Sequence, residues 1–358
     1  MPPIPSDALV AQIARLQGAD GLFPSERRQP LLGYRRPDTN VFFTAATLFT
    51  LQSLGPQLSA DAQQVVAAMT ARAVTQGYPR FRNKDGLATY NFWPTRPSQH
   101  FSNGYVFRHF EHFRIPDDID DTALVYLTSP PPVATRQWLA DKLPQHANRT
   151  RLTIRNTWPD YRPLRVYSTW FGRDMPIDFD ACALSNLLYC RYALGLPPDG
   201  HQADTLTYLR DIVLSGRYQT DPFTCAPHYA RTTLISYHLS RLVSAFAIPE
   251  LEPIRARLLT DAQQTPRPAN RIEQLLLAIT RLRLGDTPPP VDLTAIERDF
   301  DGFHFFIAGL LTAYETPWLR RWASYPITQM RWHCDAHCWA LVLEYGCLSG
   351  QLPAGGDQ

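Results

Sequence analysis

The chain has 358 residues, of which 44% are hydrophobic and 19% charged, so it can bury a large core and is not expected to be disordered. Its 35 basic and 33 acidic residues are scattered and leave a formal net charge of +2, which argues against binding to nucleic acid or to a membrane surface. We expect no signal peptide and no membrane span, because apolar runs stay below about 18 residues. A cytoplasmic protein is therefore predicted.

Apolar residues recur at helical spacing along most of the chain, and proline or glycine separates the periodic segments. Alternating strand patterns are scarce. Together these patterns predict an all-α protein. The predicted helices cover residues 8–16, 41–54, 59–75, 118–127, 133–143, 180–194, 203–214, 232–246, 253–263, 272–284, 302–313 and 334–347.

Three helix starts, near residues 37, 116 and 176, share a proline followed by short acidic or amide residues, which is favourable N-terminal chemistry. Their separation of about 60 to 80 residues leaves room for a loop and a returning outer helix. This rhythm favours an α/α toroid, in which outer helices surround inner ones. The predicted toroid is a single domain over residues 1–350, followed by a flexible tail over 351–358. An irregular helical bundle is the alternative.

The most distinctive feature is a run of aspartates at one helix start, Asp117, Asp118, Asp120 and Asp121. Capping of the helix N–H groups requires fewer carboxylates than this. Like charges this close cannot all ionise freely, so one carboxyl group should keep its proton to a higher pH than an isolated aspartate. An oriented, protonated carboxylic acid can add a proton to an alkene or epoxide and so begin a carbocation cascade.

The segment from Asp118 to Ala123 resembles the Asp-x-Asp-Asp-Thr-Ala signature of class II terpene cyclases, in the superfamily of terpenoid cyclases and protein prenyltransferases. The resemblance implies an α/α toroid in which Asp120 is the general acid, tuned and oriented by Asp118 and Asp121. It also implies an isoprenoid substrate, no certain cofactor, and Mg²⁺ only if that substrate is a diphosphate. Familiar members react between two toroids. This shorter chain would use its own bore, or a homodimer or second subunit would complete the cavity.

Carbocation chemistry needs a dry cavity lined by aromatic rings, because water quenches the cation and ring faces stabilise it. Trp170 belongs to a dense aromatic group and is a candidate for this lining. Asp178 and Asn186 lie at the start of another predicted inner helix. We therefore expect these three residues to bind substrate across the bore from Asp120.

Two short segments carry potential metal ligands. Asp180 and Cys182 have the Asp-x-Cys spacing of the zinc site in protein prenyltransferases, but helix capping by the aspartate and a buried thiol are favoured over zinc. Residues 333–338 place His333 and His337 on one predicted helical face, with two cysteines beside them. Here packed core is favoured, with a histidine hydrogen bond to the aspartates. No metal site is predicted.

Two other functions remain open. In a carbohydrate-active α/α barrel, two carboxylates such as Asp120 and Asp178 would act as acid and base on a glycosidic bond. Such a site would have wet, polar loops and separated carboxylates. In a noncatalytic helical scaffold or binding protein the aspartates would serve for capping alone, and Asp120→Asn would leave activity in the host pathway untouched.

Overall fold

The structure, a computed structural model, describes residues 5–172, 175–309 and 316–352. Most of this part of the chain is helical, so the predicted helix-rich fold is confirmed. Within these ranges, every helix is too short or too polar to traverse a lipid bilayer. The α-helices are α1 (Ser6–Leu16), α2 (Phe42–Ser53), α3 (Ala60–Arg72), α4 (Ile119–Thr128), α5 (Val133–Lys142), α6 (Ala181–Ala193), α7 (Gly200–Leu214), α8 (Arg217–Thr220), α9 (Pro222–Cys225), α10 (Thr232–Ala245), α11 (Glu252–Gln264), α12 (Arg271–Arg283), α13 (Pro317–Ala323) and α14 (Asp335–Ser349).

A set of long helices makes a closed cycle of contacts. In the order α2, α4, α6, α10, α12 and α14, each helix packs against the next, and α14 returns to α2. Nearly every face of α2, α4, α6 and α14 is buried, because apolar and small residues surround each helix instead of forming one stripe. Other helices pack against members of the cycle, with α1 against α14 and α11 against both α10 and α12.

Most predicted helices agree with the structure to within a few residues at each end, but the helix predicted over 302–313 is wrong. Phe306–Gly309 is a β-strand, and residues 310–313 lie outside the described residues. The apolar run is compatible with helical spacing when it is considered locally. Its conformation is decided by pairing with a strand near the C-terminus, which a local pattern cannot report.

In the described part of the chain, a four-stranded antiparallel sheet accompanies the helices, so the fold is not purely α-helical. The sheet was not predicted, because its first strand buries charged residues instead of alternating apolar and polar ones. Its two central strands also come from opposite ends of the chain. The strands are β1 (Ser25–Gln29), β2 (Tyr34–Asp38), β3 (Phe306–Gly309) and β4 (Gln329–His333), in the order β2-β1-β4-β3.

A buried ion pair joins β1 to β2. Arg27 donates to the carboxylate of Asp38, and both side chains are fully shielded from solvent. The same carboxylate accepts the indole N–H of Trp332 at 2.8 Å and that of Trp93 at 3.3 Å. A buried charge is stable only with such partners. Because both tryptophans also line a large cavity, Asp38 fixes part of that cavity's wall.

The residues that follow α14 fold back onto it. Leu352 is buried, and its backbone N–H donates to the carbonyl oxygen of Gly346 at 3.1 Å. A Cβ added at Gly346 would lie 2.1 Å from the Leu352 side chain, so this contact requires glycine. Of the predicted tail over 351–358, residues 353–358 lie outside the described residues.

Candidate active site

The segment from Asp118 to Ala123, which we call the acid motif, lies at the N-terminus of α4, as predicted. Asp118 is the N-cap, and its Oδ1 accepts the backbone N–H of Asp121 at 2.7 Å. Asp120 and Asp121 follow in the first turn, where free N–H groups and the helix dipole favour carboxylates. All three side chains are buried, and Asp118, Asp120 and Asp121 are only 5%, 7% and 2% exposed, respectively.

Side chains from two other parts of the chain hold the carboxyl group of Asp120. Asn186, on α6, donates its amide N–H to Oδ1 at 2.6 Å, and Tyr229 donates its hydroxyl to Oδ2 at 2.5 Å. Arg241, on α10, donates in turn to the side-chain oxygen of Asn186. Since α4, α6 and α10 are successive members of the helix cycle, this network forms only when those helices assemble.

Burial raises the pKa of the Asp120 carboxyl above its ordinary value. The hydrogen bonds from Tyr229 and Asn186, and the positive charges of Arg241 and His228, act in the opposite direction because they favour the carboxylate. Asp120 therefore holds a proton more firmly than an exposed aspartate does. Once that proton leaves, donors to the resulting charge are already in place.

Asp118 and Asp121 form a pair of carboxyl groups next to Asp120 in the chain. Burial raises the pKa of Asp118 to about 7. Burial, together with the charge of Asp118 and a hydrogen bond to it, raises the pKa of Asp121 well above its ordinary value. The two carboxyl groups thus share a proton at a pH where an isolated aspartate has lost it. The sequence predicts a retained proton from crowding, but in the structure burial is the larger cause.

The Asp118–Asp121 pair acts on Asp120 through space. Among the described residues, the partners of the Asp120 carboxyl are Asn186 and Tyr229, whereas the charge of Asp120 raises the pKa of both members of the pair. The predicted tuning of Asp120 by Asp118 and Asp121 stays a prediction. Asn186 and Tyr229, and not Asp118 or Asp121, contact the Asp120 carboxyl directly and orient it.

We expect Asp121→Asn to weaken the pH dependence of stability. Because burial raises the pKa of Asp118 and Asp121, the folded state binds protons more tightly than the unfolded chain. The stability contributed by these protons is complete below about pH 4 and is lost as the pH rises through the raised pKa of each group, which is about 7 for Asp118. The variant should therefore be more stable than the wild type at pH 8, by about 2 kcal/mol.

Urea unfolding at pH 5 and pH 8 measures this effect, with the exposed Asp61→Asn as the matched control. The control should reproduce the wild-type difference between the two pH values. An Asp121→Asn variant whose stability changes with pH as steeply as that of the wild type would contradict the shared proton.

A histidine lies between two further carboxylates near the start of α6. Asp178 Oδ2 is 2.8 Å from His228 Nε2, and Asp180 Oδ2 accepts the backbone N–H of His228 at 2.8 Å. Burial lowers the pKa of His228, but the hydrogen bond to Asp178 and the charges of both carboxylates outweigh it and raise the pKa to about 9. At neutral pH this imidazolium places a positive charge close to the acid motif.

These groups face one cavity, which we call the acid cavity and which has a volume of about 780 Å³. Its walls combine the carboxyl groups of Asp118, Asp120 and Asp121 with a large aromatic surface. Polar loop residues such as Asn83 and Lys84 also line it. The aromatic residues of the wall are Phe42, Phe92, Trp93, Phe101, Phe113, Trp170, Phe171, Tyr229, Phe306 and Trp332.

The structure brings the predicted substrate-binding residues together around Asp120, but in two different roles. Trp170 and Asp178 line the acid cavity, and Trp170 is bridged through its backbone to Asp118. Asn186 does not line it, because its side chain is buried and engaged by Asp120 and Arg241. Asn186 is thus placed to hold the carboxyl group of Asp120 and not to line the cavity.

The potential metal ligands have other partners. Asp180 caps α6 by accepting the backbone N–H of Cys182 at 2.9 Å, and burial raises the pKa of that thiol well above its ordinary value. The predicted common helical face of His333 and His337 is wrong, because His333 belongs to β4 and α14 begins at Asp335. Within the described ranges, no group of three or more His, Cys, Asp or Glu side chains is arranged to hold a metal ion.

The predicted hydrogen bond between these histidines and the acid motif is not found among the described residues. His333 Nε2 lies 2.6 Å from Asp335, and His337 Nδ1 lies 3.3 Å from the hydroxyl of Thr47. The histidine near the acid motif is instead His228, whose pKa is raised in part by the charge of Asp118. It reaches the motif because its segment packs against the start of α6.

Tyr229 and Arg241 were missed at the sequence level. Tyr229 lies in an irregular segment before α10, and Arg241 lies within that helix without any local sign that it faces a carboxyl group. No family model, curated protein or solved structure matches the chain. The geometry of the acid cavity is therefore what an inference about function has to rest on.

Proposed function

We propose that this chain is a cyclase or isomerase of the class II terpene cyclase type, which protonates an alkene or epoxide of an isoprenoid through Asp120. One observation carries the proposal. Asp120 is a buried carboxyl group with a raised pKa, it opens onto an aromatic-lined cavity, and both of its oxygens have hydrogen-bond donors. An acid that must give up a proton in a dry site needs this combination.

The donors to Asp120 favour the state that follows proton transfer. As the proton moves from the Asp120 carboxyl to a substrate carbon, negative charge develops on the two carboxylate oxygens. Tyr229 and Asn186 already point at those oxygens, so no reorganisation is needed during the step. Arg241 supports the charge through Asn186. The raised pKa keeps Asp120 protonated, and the hydrogen-bond donors favour transfer of its proton to the substrate.

The aromatic wall suits the cation that protonation creates. Phe42 lies near Tyr229, with ring centroids 6.2 Å apart, and it also packs against Phe306. Ring faces stabilise positive charge by about 0.5 to 2 kcal/mol each, more where water is excluded. The volume of about 780 Å³ falls in the range of small-molecule sites.

We also propose that the helices form a single α/α toroid. The closed contact order of α2, α4, α6, α10, α12 and α14 supports this arrangement, with the acid motif at the start of one member. The small sheet then adds Phe306 and Trp332 to the wall of the acid cavity. In this proposal one chain supplies the acid and the aromatic wall, so a second subunit is not required for the chemistry. Mg²⁺ would enter only with a diphosphate substrate.

Incubation of the purified protein with squalene-like substrates and prenyl diphosphates, with and without Mg²⁺, tests the proposal. Mass spectrometry should detect a cyclised or isomerised product. Products released without loss of diphosphate would fit initiation by protonation. If none of the substrates gives a product, the result would count against the proposal.

Tyr229→Phe should move the alkaline limb of the pH–activity profile upward by about one unit. The Tyr229 hydroxyl lowers the pKa of Asp120, so its removal leaves Asp120 protonated to higher pH. The rate below that limb should fall by about tenfold or more, since the developing carboxylate loses a donor. Steady-state kcat/KM measured between pH 5 and pH 9 tests both effects.

Tyr126→Phe is a matched control for this variant. The Tyr126 hydroxyl is also removed from a buried site, where it donates to the carbonyl oxygen of Ala88 at 2.6 Å, and this tyrosine does not line the acid cavity. The pH–activity profile of Tyr126→Phe should match that of the wild type. A downward shift of the alkaline limb in Tyr229→Phe would exclude Asp120 as the titrating acid.

A carbohydrate-active enzyme is the second candidate, and one observation favours it. Asp120 and Asp178 line the same cavity, which also presents Trp170 and several polar loop residues. A glycosidase would need both carboxyl groups, one as acid and one as base or nucleophile. Release of reducing sugar from an oligosaccharide panel, abolished by Asp178→Asn as well as by Asp120→Asn, would establish this function in place of the first.

A further inference from the structure

A second cavity, with a volume of about 320 Å³, lies on the opposite side of β3 from the acid cavity. Side chains alternate along this strand, so Phe306 and Ala308 line the acid cavity, whereas Ile307 lines the second one. Tyr229 borders both. The volume lies at the lower end of the range of about 300 to 1,000 Å³ for small-ligand sites.

Two arginines and a histidine, Arg231, Arg331 and His304, line this second cavity, which we call the arginine pocket. Arg231 forms an ion pair with Glu273, and its NH2 lies 2.7 Å from Nδ1 of His304. Arg331 projects from β4. Its Nε is buried and has no hydrogen-bond partner among the described residues. A buried guanidinium N–H without an acceptor is costly unless a ligand supplies one.

Among the described residues that line the arginine pocket are two guanidinium groups and a single carboxylate. Within the described ranges, Arg331 has no ion pair, and its burial lowers the pKa of the guanidinium with no carboxylate to oppose it. For Arg231, burial and the charge of Arg331 lower the pKa, against the influence of Glu273. Asp221 also lines the pocket, but its Oδ1 already accepts the backbone N–H of Thr224 at 3.1 Å.

We propose that the arginine pocket binds the phosphate or diphosphate group of a small ligand. A guanidinium presents paired N–H donors that match the oxygens of a phosphate, and Arg331 lines the pocket without an ion pair among the described residues. The hydroxyl groups of Thr220 and Ser324 and the amide of Gln329 line the same pocket and add polar contacts for an oxyanion. A doubly charged anion also relieves the repulsion between the two arginines.

This site does not depend on the acid chemistry proposed for Asp120. Binding to the arginine pocket uses side chains on the far side of β3, so it should be the same in the wild type and in Asp120→Asn. A failure of cyclase activity would therefore leave the binding measurement intact. Conversely, loss of anion binding would not remove the proton donor.

Isothermal titration with inorganic diphosphate, at fixed ionic strength, tests the proposal. The wild type should bind diphosphate, and Arg331→Gln should weaken the affinity by about tenfold or more. Arg298→Gln, which removes an exposed arginine outside the pocket, is the matched control and should bind as the wild type does. A prenyl diphosphate that binds more tightly than inorganic diphosphate, and that loses this advantage in Arg331→Gln, would identify an organic ligand of the arginine pocket, whereas equal affinities would identify the free anion.

A second measurement needs no variant and so is independent of folding defects. An arginine-specific dicarbonyl reagent, followed by peptide mass mapping, reports which guanidinium groups react. Diphosphate should protect Arg331 and leave Arg298 equally reactive. No binding of diphosphate by the wild type, undiminished binding by a folded Arg331→Gln, or unprotected Arg331 would each overturn the proposal.

Discussion

Asp120→Asn is expected to lower the rate of product formation by about 100-fold to 10,000-fold, the usual contribution of a positioned general acid. Asparagine has nearly the same shape as aspartate but no proton of comparable acidity to give. It can still accept one hydrogen bond from Asn186 or Tyr229, so the network is largely kept. The variant should fold and still bind substrate. The loss should appear in kcat, because the interaction acts in the transition state.

Product formation by mass spectrometry, on whichever substrate the wild type converts, is the measurement. Asp292→Asn changes an exposed aspartate outside the acid cavity and should retain full activity. Circular dichroism and thermal unfolding check that Asp120→Asn is folded. A folded variant that retains wild-type activity would show that another group, such as the Asp118–Asp121 pair, delivers the proton.

Asp38→Asn is expected to destabilise the protein by about 3 to 5 kcal/mol, because it leaves a buried charge without its partner. Arg27 is fully shielded from solvent and donates to the Asp38 carboxylate. The same substitution halves the capacity to accept the indole N–H groups of Trp93 and Trp332. Both rings line the acid cavity, so substrate binding should weaken together with stability.

Urea unfolding monitored by tryptophan fluorescence measures this change, because the probe rings are themselves hydrogen-bonded to Asp38. The double variant Arg27→Met with Asp38→Asn separates charge from packing. It should lose less stability than the sum of the two single changes, since the unpaired charge is removed. A loss below about 1 kcal/mol in Asp38→Asn would mean that the ion pair does not stabilise the sheet.

Local patterns were sufficient to predict most helices and the position of the acid motif. Helical spacing of apolar residues and a proline before short polar caps are properties of neighbouring residues, so the start of α4 at Asp118 and Ile119 could be predicted without a partner. The helix predicted over 302–313 is wrong, so local patterns were not sufficient for that segment. There an apolar run pairs with β4, and long-range hydrogen bonds override local spacing.

The sheet illustrates the same limit. Arg27 in β1 is opposite Trp332 in β4, a contact between the two ends of the chain. The buried charge of Arg27 is tolerated because it pairs with Asp38, whose carboxylate also accepts the indole N–H of Trp332. No alternation of apolar and polar residues marks such a strand.

The sequence alone determined which side chains are candidates for acid chemistry, since four aspartates at one helix start are a local feature. Only the tertiary structure decided the burial, the hydrogen-bond partners and therefore the pKa of those aspartates. Burial raises the pKa of Asp120, and Asn186 and Tyr229 reach its oxygens from segments far along the chain. A pKa depends on solvent exclusion and on neighbours in space, and neither is encoded by neighbours in sequence.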